Sequence, residues 1–278
     1  MHKNLKNYNF IIFIIIILLS FITILYQLNF EDFWLDEMSS FWVSDPSISF
    51  RETLTRHKEY DWHNPMLFNL ILKSFMSYTS YDPETSRIMP LIFGVVSVGL
   101  IGILSYQIRS DQSFIFSTLL ASLSIYIIKY SQELRPYTLL LMLSTLNMFL
   151  YLKLINNNFN ILKKILLLFL FICISLLNYS TNPFSLIILF SQITASFYNF
   201  LFFKKRDNLF YASLIPTTFL YLIFNYEYIN LQLSFDKYML SSDIKNIFDG
   251  FYFPRFFGSK IMGYMYLIIL IILIILNK

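Results

Sequence analysis

Long uninterrupted runs of apolar residues are the feature that most restricts what this chain can fold into. They lie at 10–19, 166–174 and 267–276, and they are too long and too uniformly apolar for a water-soluble core. Composition agrees, since 56% of the 278 residues are hydrophobic and 14% are charged, where soluble domains carry about a quarter. Mean hydropathy is +0.58. The sequence therefore predicts an all-α integral membrane protein.

The apolar segments predict about eight transmembrane helices, because a span needs about 20 mainly apolar residues. The candidate spans are 9–28, 88–108, 113–130, 137–154, 161–178, 184–203, 209–224 and 261–277. No internal repeat and no Gly/Pro-rich linker interrupts them, so 1–278 is predicted to be a single domain.

Charge predicts the orientation of these spans. With both termini cytoplasmic, the clusters at 163–164 and 204–206 also face the cytoplasm, as the positive-inside rule requires. Most acidic residues then fall on the opposite side, where the two substantial outer loops are 29–87 and 225–260. We expect a multi-pass protein of the plasma (inner) membrane whose active face is outside. The scattered Lys and Arg residues form no basic stripe, so no nucleic-acid partner is predicted.

The outer loop 29–87 is predicted to hold interfacial helices and no further span. Polar residues recur at helical spacing within 66–80: Asn69, Lys73, Ser77 and Ser80. This stripe favours a helix that lies in the interface with its apolar side toward the lipid. Ser49 and Glu52 fit a capping box that begins another short helix, which ends near Lys58.

Two groups of polar residues are candidates for chemistry at the membrane surface. The first contains Asp36 and Glu37 directly after the first span, His63 in the segment Asp61-Trp62-His63-Asn64-Pro65, and Arg87 before the second span. The second is the turn Tyr130-Ser131-Gln132-Glu133-Leu134-Arg135-Pro136-Tyr137. Charges at the ends of apolar runs are costly unless they are paired or face a polar cavity. The alternatives are that the loop residues are ordinary surface groups and that Glu133 and Arg135 form a structural ion pair.

The ordered set of these motifs resembles the GT-C membrane glycosyltransferases, nearest to the protein O-mannosyltransferase and aminoarabinose-transferase-like group. The resemblance covers about residues 8–200. It implies a polyprenyl-phosphate sugar as donor, a lipid, glycan or protein acceptor at the outer face, and membrane-surface helices in the first outer loop. Relatives of this kind usually continue for further spans or a soluble domain, so a truncated member is also considered.

The resemblance assigns roles to particular residues. Asp36 matches the catalytic acidic position with Glu37 beside it, and the donor phosphate and sugar are matched by Arg87, Glu133, Arg135, Tyr137 and His63. The chain departs from the family pattern at Asn64, where a proline is usual, and at Asn182, where a histidine is usual. One carboxylate base without a nucleophile favours direct displacement with inversion.

No cofactor is predicted. Asp36, Glu37 or His63 could ligate a divalent cation, but their spacing defines no such site, so no metal is predicted. Two other functions stay open: a carrier or flippase for lipid-linked sugars, and a truncated, non-catalytic partner of another membrane protein. A carrier requires polar residues along several spans, whereas the mid-span residues here are interpreted as almost all Ile, Leu, Phe, Ser and Thr.

Overall fold

A computed structural model describes residues 2–62, 64–109, 111–156, 159–203 and 217–223, together with positions 226, 230, 261, 264, 265 and 268. Every element of secondary structure in these residues is helical. The α-helices are α1 (His2–Leu25), α2 (Leu35–Val43), α3 (Phe50–Tyr60), α4 (Leu67–Tyr78), α5 (Pro83–Ser86), α6 (Ile88–Ile108), α7 (Asp111–Ser122), α8 (Ile125–Ser131), α9 (Tyr137–Asn156), α10 (Ile161–Tyr179) and α11 (Leu186–Phe203). A short 3-10 helix, Pro183–Ser185, precedes α11.

The chain divides into two compact units, Met1–Tyr228 and Ile229–Lys278, and all of these helices belong to the first. Most of the second unit lies outside the described residues, and so do most of the predicted loop 225–260 and most of the predicted span 261–277. The single domain therefore stays a prediction.

Three described helices are long and apolar enough to cross a bilayer: Pro83–Ile108, Tyr137–Ile155 and Ile161–Tyr179. The segments Asn9–Leu25 and Leu186–Tyr198 are apolar but shorter. Most of the predicted span 209–224 lies outside the described residues. The chain thus has the helices of a membrane protein, while eight spans and cytoplasmic termini stay predictions.

The predicted span 113–130 is broken in the middle. α7 and α8 meet at an angle of 55°, and together they qualify as a fourth, bent span. Ser124 adopts an extended conformation at the break, and Ser122 Oγ donates to the Leu119 carbonyl oxygen at 2.8 Å. Serine side chains that bond to nearby backbone compete with the helical hydrogen bonds, which explains a bend without proline.

α6 is the central helix of the bundle, because α1, α7, α8 and α9 all pack against it, and α10 packs against α9. A Cβ atom at Gly94 would collide with the side chain of Ser131 on α8, and one at Gly102 would collide with Thr118 on α7. These glycines therefore let the broken span approach α6 closely. The close approach holds residues 132–136, which follow α8, beside the start of α6.

The predicted helix over 49–58 is confirmed, as α3. Ser49 Oγ accepts the backbone N–H of Glu52 at 3.2 Å, as the capping pattern predicts. The Glu52 side chain bonds instead to Arg56 Nε, at 3.2 Å, and the helix continues two residues beyond Lys58, to Tyr60.

The predicted helix over 66–80 forms as α4, but its faces are used differently from the expectation. Its apolar side packs on the protein's own core cluster, which consists of Phe68, Leu72, Met76, Met89, Leu134, Leu139 and Leu143. The polar stripe also turns inward at two positions. Asn69 is fully buried, and Lys73 Nζ donates to the carbonyl oxygens of Asp45 at 2.6 Å and Ile48 at 2.8 Å. Lys73 and Asn69 therefore bond to segments that precede α4, because the backbone between α2 and α3 and the Asp61 carboxylate offer acceptors there.

Candidate functional site

The two adjacent carboxylates at the start of α2 have different surroundings. Successive residues of an α-helix are about 100° apart around its axis, so Asp36 and Glu37 face different directions. Glu37 is 1% exposed, whereas 44% of the Asp36 side chain is exposed. Both lie in the first turn, where the helix dipole favours negative charge. Of the pair, Asp36 is the one that a substrate can reach.

Glu37 forms a buried, bidentate ion pair with Arg87. Nε of Arg87 donates to Glu37 Oε1 at 3.0 Å, and Nη2 donates to Oε2 at 2.8 Å. The backbone N–H of Leu134 donates to the same Oε1 at 2.6 Å. Arg87 is 4% exposed, so the pair is shielded from water and each charge depends on the other.

The remaining donors of Arg87 are also occupied. Nη1 donates to the carbonyl oxygens of Leu28 at 3.2 Å and Glu31 at 2.6 Å. The guanidinium carbon lies 4.7 Å from the centre of the Phe33 ring. Arg87 therefore joins the chain after α1 to the start of α6. This arrangement supports a structural role for Glu37 and Arg87 and lends no support to the predicted roles in catalysis and phosphate binding.

Among the described residues, Arg135 has hydrogen-bond partners at one of its three guanidinium nitrogens. Its Nη1 donates to the Asp36 carbonyl oxygen at 3.0 Å, to Ser40 Oγ at 3.0 Å and to Asp61 Oδ1 at 3.2 Å. Nη2 lies 3.7 Å from Asp36 Oδ2, too far for a hydrogen bond. Nε is buried and has no acceptor among the described residues.

We call Nε together with Nη2 the open edge of Arg135, because neither nitrogen makes a hydrogen bond among the described residues, although Nε itself is buried. A guanidinium binds phosphate or carboxylate through two parallel N–H groups, and such an edge suits that geometry. The corresponding edge of Arg87 is filled by Glu37. The two arginines look equivalent in sequence, but only Arg135 keeps this capacity next to Asp36.

Asp61, which is not among the predicted site residues, is the buried carboxylate beside Arg135. It is 2% exposed. Three more side chains donate to it: Ser40 Oγ at 3.2 Å, Asn69 Nδ2 at 3.0 Å and Asn64 Nδ2 at 3.4 Å. The available signal was its position, directly after a helix and four residues before Pro65. The predicted His63 lies outside the described residues.

Asn64 and Asn182, which are 118 positions apart in sequence, contact each other. Nδ2 of Asn182 donates to Asn64 Oδ1 at 2.9 Å, and both residues are buried. Asn182 Oδ1 in turn accepts the backbone N–H of Phe184 at 3.0 Å. Because Asn64 also reaches Asp61, this amide pair connects the segment between α10 and α11 to the surroundings of Arg135.

Glu133 and Tyr137 adjoin Arg135 in sequence but have other partners. Glu133 Oε1 lies 3.7 Å from Lys129 Nζ, and Arg135 pairs instead with Asp61. The alternative of a Glu133–Arg135 ion pair is therefore wrong. The Tyr137 ring packs against Tyr130 with centroids 4.8 Å apart.

Two titratable groups near the site have shifted pKa values. Burial raises the pKa of Glu133, against the opposing effect of the Lys129 ammonium. Burial lowers the pKa of His57, although the carboxylate of Asp61 acts in the opposite direction. His57 is 7% exposed, so its neutral form is favoured beside the Asp61–Arg135 pair.

Two cavities adjoin these residues. One, of about 740 Å³, lies on a face of α2 that does not include Asp36. Its lining includes Leu35, Met38 and Trp42 from α2, but not Asp36. Aromatic and acidic residues from three segments complete it, among them Phe33, Tyr60, Tyr81, Glu31, Asp32, Asp82 and Glu84. Arg87 also lines this cavity, but its charge is already paired with Glu37, so the four carboxylates make the cavity unsuitable for an anionic group. A smaller cavity, of about 340 Å³, is lined by Lys129, Gln132 and Glu133 among others.

Among the described residues, no three His, Cys, Asp or Glu side chains come together as a metal site. Asp36 and Glu37, which the sequence analysis considered as possible cation ligands, face different directions, because Glu37 is paired with Arg87.

A second polar cluster lies between α9, α10 and α11. Nδ2 of Asn147 donates to Ser175 Oγ at 2.6 Å, and Nε2 of Gln192 donates to Asn147 Oδ1. These three side chains are fully buried. The interpretation of the mid-span residues as almost all Ile, Leu, Phe, Ser and Thr overlooked Asn147 and Gln192. Buried amides of this kind hold membrane helices together, because their alternative in hydrocarbon is an unpaired polar group.

Comparison with protein-family models, with curated proteins and with solved structures finds no match to this chain.

Proposed function

We propose that this protein is a membrane glycosyltransferase of the GT-C type, which transfers a sugar from a polyprenyl-phosphate donor to a lipid, glycan or protein acceptor. The observation that carries the proposal is the pairing of an accessible carboxylate with a guanidinium that keeps an open edge. Asp36 Oδ2 and Arg135 Nη2 are 3.7 Å apart. A base and an anion-binding group at this separation match the two charges that develop during sugar transfer.

The reaction is a direct displacement at the anomeric carbon. The acceptor oxygen or nitrogen forms a bond to this carbon, and its proton passes to the Asp36 carboxylate. The bond from the carbon to the phosphate oxygen breaks, and the phosphate leaves with the electron pair. A single carboxylate beside the reacting atoms gives inversion, because a retaining route needs a second carboxylate as nucleophile. Glu37 cannot take that role while it is paired with Arg87.

Arg135 carries the donor phosphate in this proposal. The leaving polyprenyl phosphate gains negative charge, which the open edge stabilises with two hydrogen bonds. Arg135 is 4% exposed, so water competes weakly for these donors.

We expect Arg135→Lys to raise the KM for the donor by about 10-fold or more, because an ammonium keeps the charge but loses the planar fork. The measurement is sugar transfer by the purified protein from a panel of polyprenyl-phosphate sugars. Arg56→Lys is the matched control, since Arg56 pairs with Glu52 and Asp45 instead. A wild-type protein that consumes no donor would contradict the proposed transferase activity. A wild-type KM in Arg135→Lys would show that Arg135 does not bind the donor phosphate.

The proposal places the protein in the plasma (inner) membrane as a multi-pass protein, with both termini cytoplasmic and the loop 29–87 outside. Single cysteines at positions 80 and 157, in a Cys173→Ser background, test this topology. Ser80→Cys is expected to react with an impermeant thiol reagent on intact cells, and Asn157→Cys only after permeabilisation. Labelling of position 157 from outside would reverse the topology and leave Arg135 on the wrong side for an outer acceptor.

The carrier hypothesis is the second candidate, and the polar cluster of Asn147, Ser175 and Gln192 favours it more than the sequence did. A carrier needs polar groups at depth along a path. These groups bond to one another, which equally fits helix packing. Net movement of a lipid-linked sugar across vesicles without its consumption would favour the carrier over the transferase.

A further inference from the structure

We propose that Asp61 is a positioning residue, which orients the guanidinium of Arg135 so that its open edge is free to bind phosphate. The inference rests on the proposed function, since it concerns the anion that Arg135 would hold. It assigns no contact between Asp61 and the substrate.

The contacts of Arg135 are unevenly distributed around its guanidinium. Within the part of the chain that the structure describes, its three hydrogen-bond acceptors, the Asp36 carbonyl oxygen, Ser40 Oγ and Asp61 Oδ1, all accept from Nη1. Asp61 is the one that carries charge at hydrogen-bond distance, 3.2 Å. Because the guanidinium is planar, a contact that fixes Nη1 also fixes the direction of the opposite edge, which is formed by Nε and Nη2.

Asp61 is itself held from several directions, so it can impose an orientation. It is 2% exposed, and the donors from Ser40, Asn69 and Asn64 approach both of its oxygens. Ser40 Oγ donates to Asp61 and also accepts from Arg135. Ser40, Asp61 and Arg135 are therefore each hydrogen-bonded to the other two. Side chains locked in this way are the usual support of a preorganised binding group.

The inference explains why Asp36 stays available although a guanidinium lies next to it. The buried charge of Arg135 is balanced by Asp61 at 3.2 Å, and Asp36 Oδ2 remains at 3.7 Å with nearly half of its side chain exposed. Without Asp61, the nearest compensation for the buried cation would be Asp36. The carboxylate needed as base would then be drawn into an ion pair.

The test measures binding of geranylgeranyl phosphate, a sugar-free probe, to purified protein in detergent. Asp61→Asn is expected to raise the Kd by about 10-fold, the effect of losing one charge-assisted contact. In an Arg135→Lys background, the same change is expected to raise the Kd by less than about 2-fold, because Asp61 acts only through Arg135. A purely structural role would instead give effects that multiply. Asp45→Asn is the matched control, because Asp45 lies 3.9 Å from Arg56 in the same loop.

Ser40→Ala keeps the test decisive if Asp61→Asn does not fold. It removes one contact of Asp61 and one of Arg135 without leaving a new charge, and it is expected to raise the Kd by about 3-fold. Wild-type affinity in a folded Asp61→Asn or Ser40→Ala variant overturns the inference, as does a wild type that binds no probe. A wild type that binds the probe but transfers no sugar overturns the proposed function, while the expected Kd changes would still uphold Asp61 as a positioning residue.

Discussion

Replacing Asp36 by asparagine is expected to lower sugar transfer by about 10²–10⁴-fold, the range that follows the loss of a general base. The amide keeps the shape of the carboxylate but cannot take the acceptor's proton. Folding is expected to stay intact, because the side chain is 44% exposed and its contact with Arg135 is 3.7 Å long. Initial rates with a saturating polyprenyl-phosphate sugar, together with the unfolding temperature in detergent, measure both expectations.

Glu59→Gln is a suitable control for this experiment, since Glu59 is an exposed carboxylate of the same loop on α3. It is expected to keep the wild-type rate. If an active wild type kept its full rate after Asp36→Asn, the mechanism would be wrong even where the donor and acceptor were right.

Glu37→Gln is expected to destabilise the protein by about 3–5 kcal/mol, which is the cost of leaving one charge of a buried pair without its partner. Arg87 would keep its carbonyl contacts but lose the carboxylate that pairs with it at 2.8 Å. The result should appear as a lower midpoint of unfolding and a reduced yield of folded protein. Any loss of sugar transfer in Glu37→Gln is expected to follow the folded fraction and to be smaller than the loss in Asp36→Asn.

Two further variants distinguish a structural role of the buried Glu37–Arg87 pair from a catalytic role of Glu37. Lys129→Met removes an ion pair whose lysine is 64% exposed, and its expected effect is below about 1 kcal/mol. The double variant Glu37→Met/Arg87→Met is expected to recover part of the lost stability, because neither charge remains buried alone. A folded Glu37→Gln protein with wild-type stability but no sugar transfer would contradict the structural role and support a catalytic role for Glu37.

Local features of this structure follow from short stretches of sequence. The apolar runs predict the long helices, and Ser49 predicts the start of α3, because helix formation and capping depend on residues within a few positions of one another. The stripe in 66–80 predicts the helix α4 but not the direction of its faces. Which face is buried depends on the elements that pack against the helix, and the core cluster around Phe68 includes residues of α4, α6 and α9 that are distant in sequence.

The amino-acid sequence by itself thus indicated a helical membrane protein, most of the described helices and the polar residues that are candidates for a site. Only the tertiary structure decided how those residues are paired. Arg87 meets Glu37 across 50 positions, Arg135 meets Asp61 across 74, and Asn182 meets Asn64 across 118. Which carboxylate a buried arginine takes depends on where the packed helices bring their ends together. Local pattern does not contain that information, and for this reason two arginines that look alike in sequence have different surroundings.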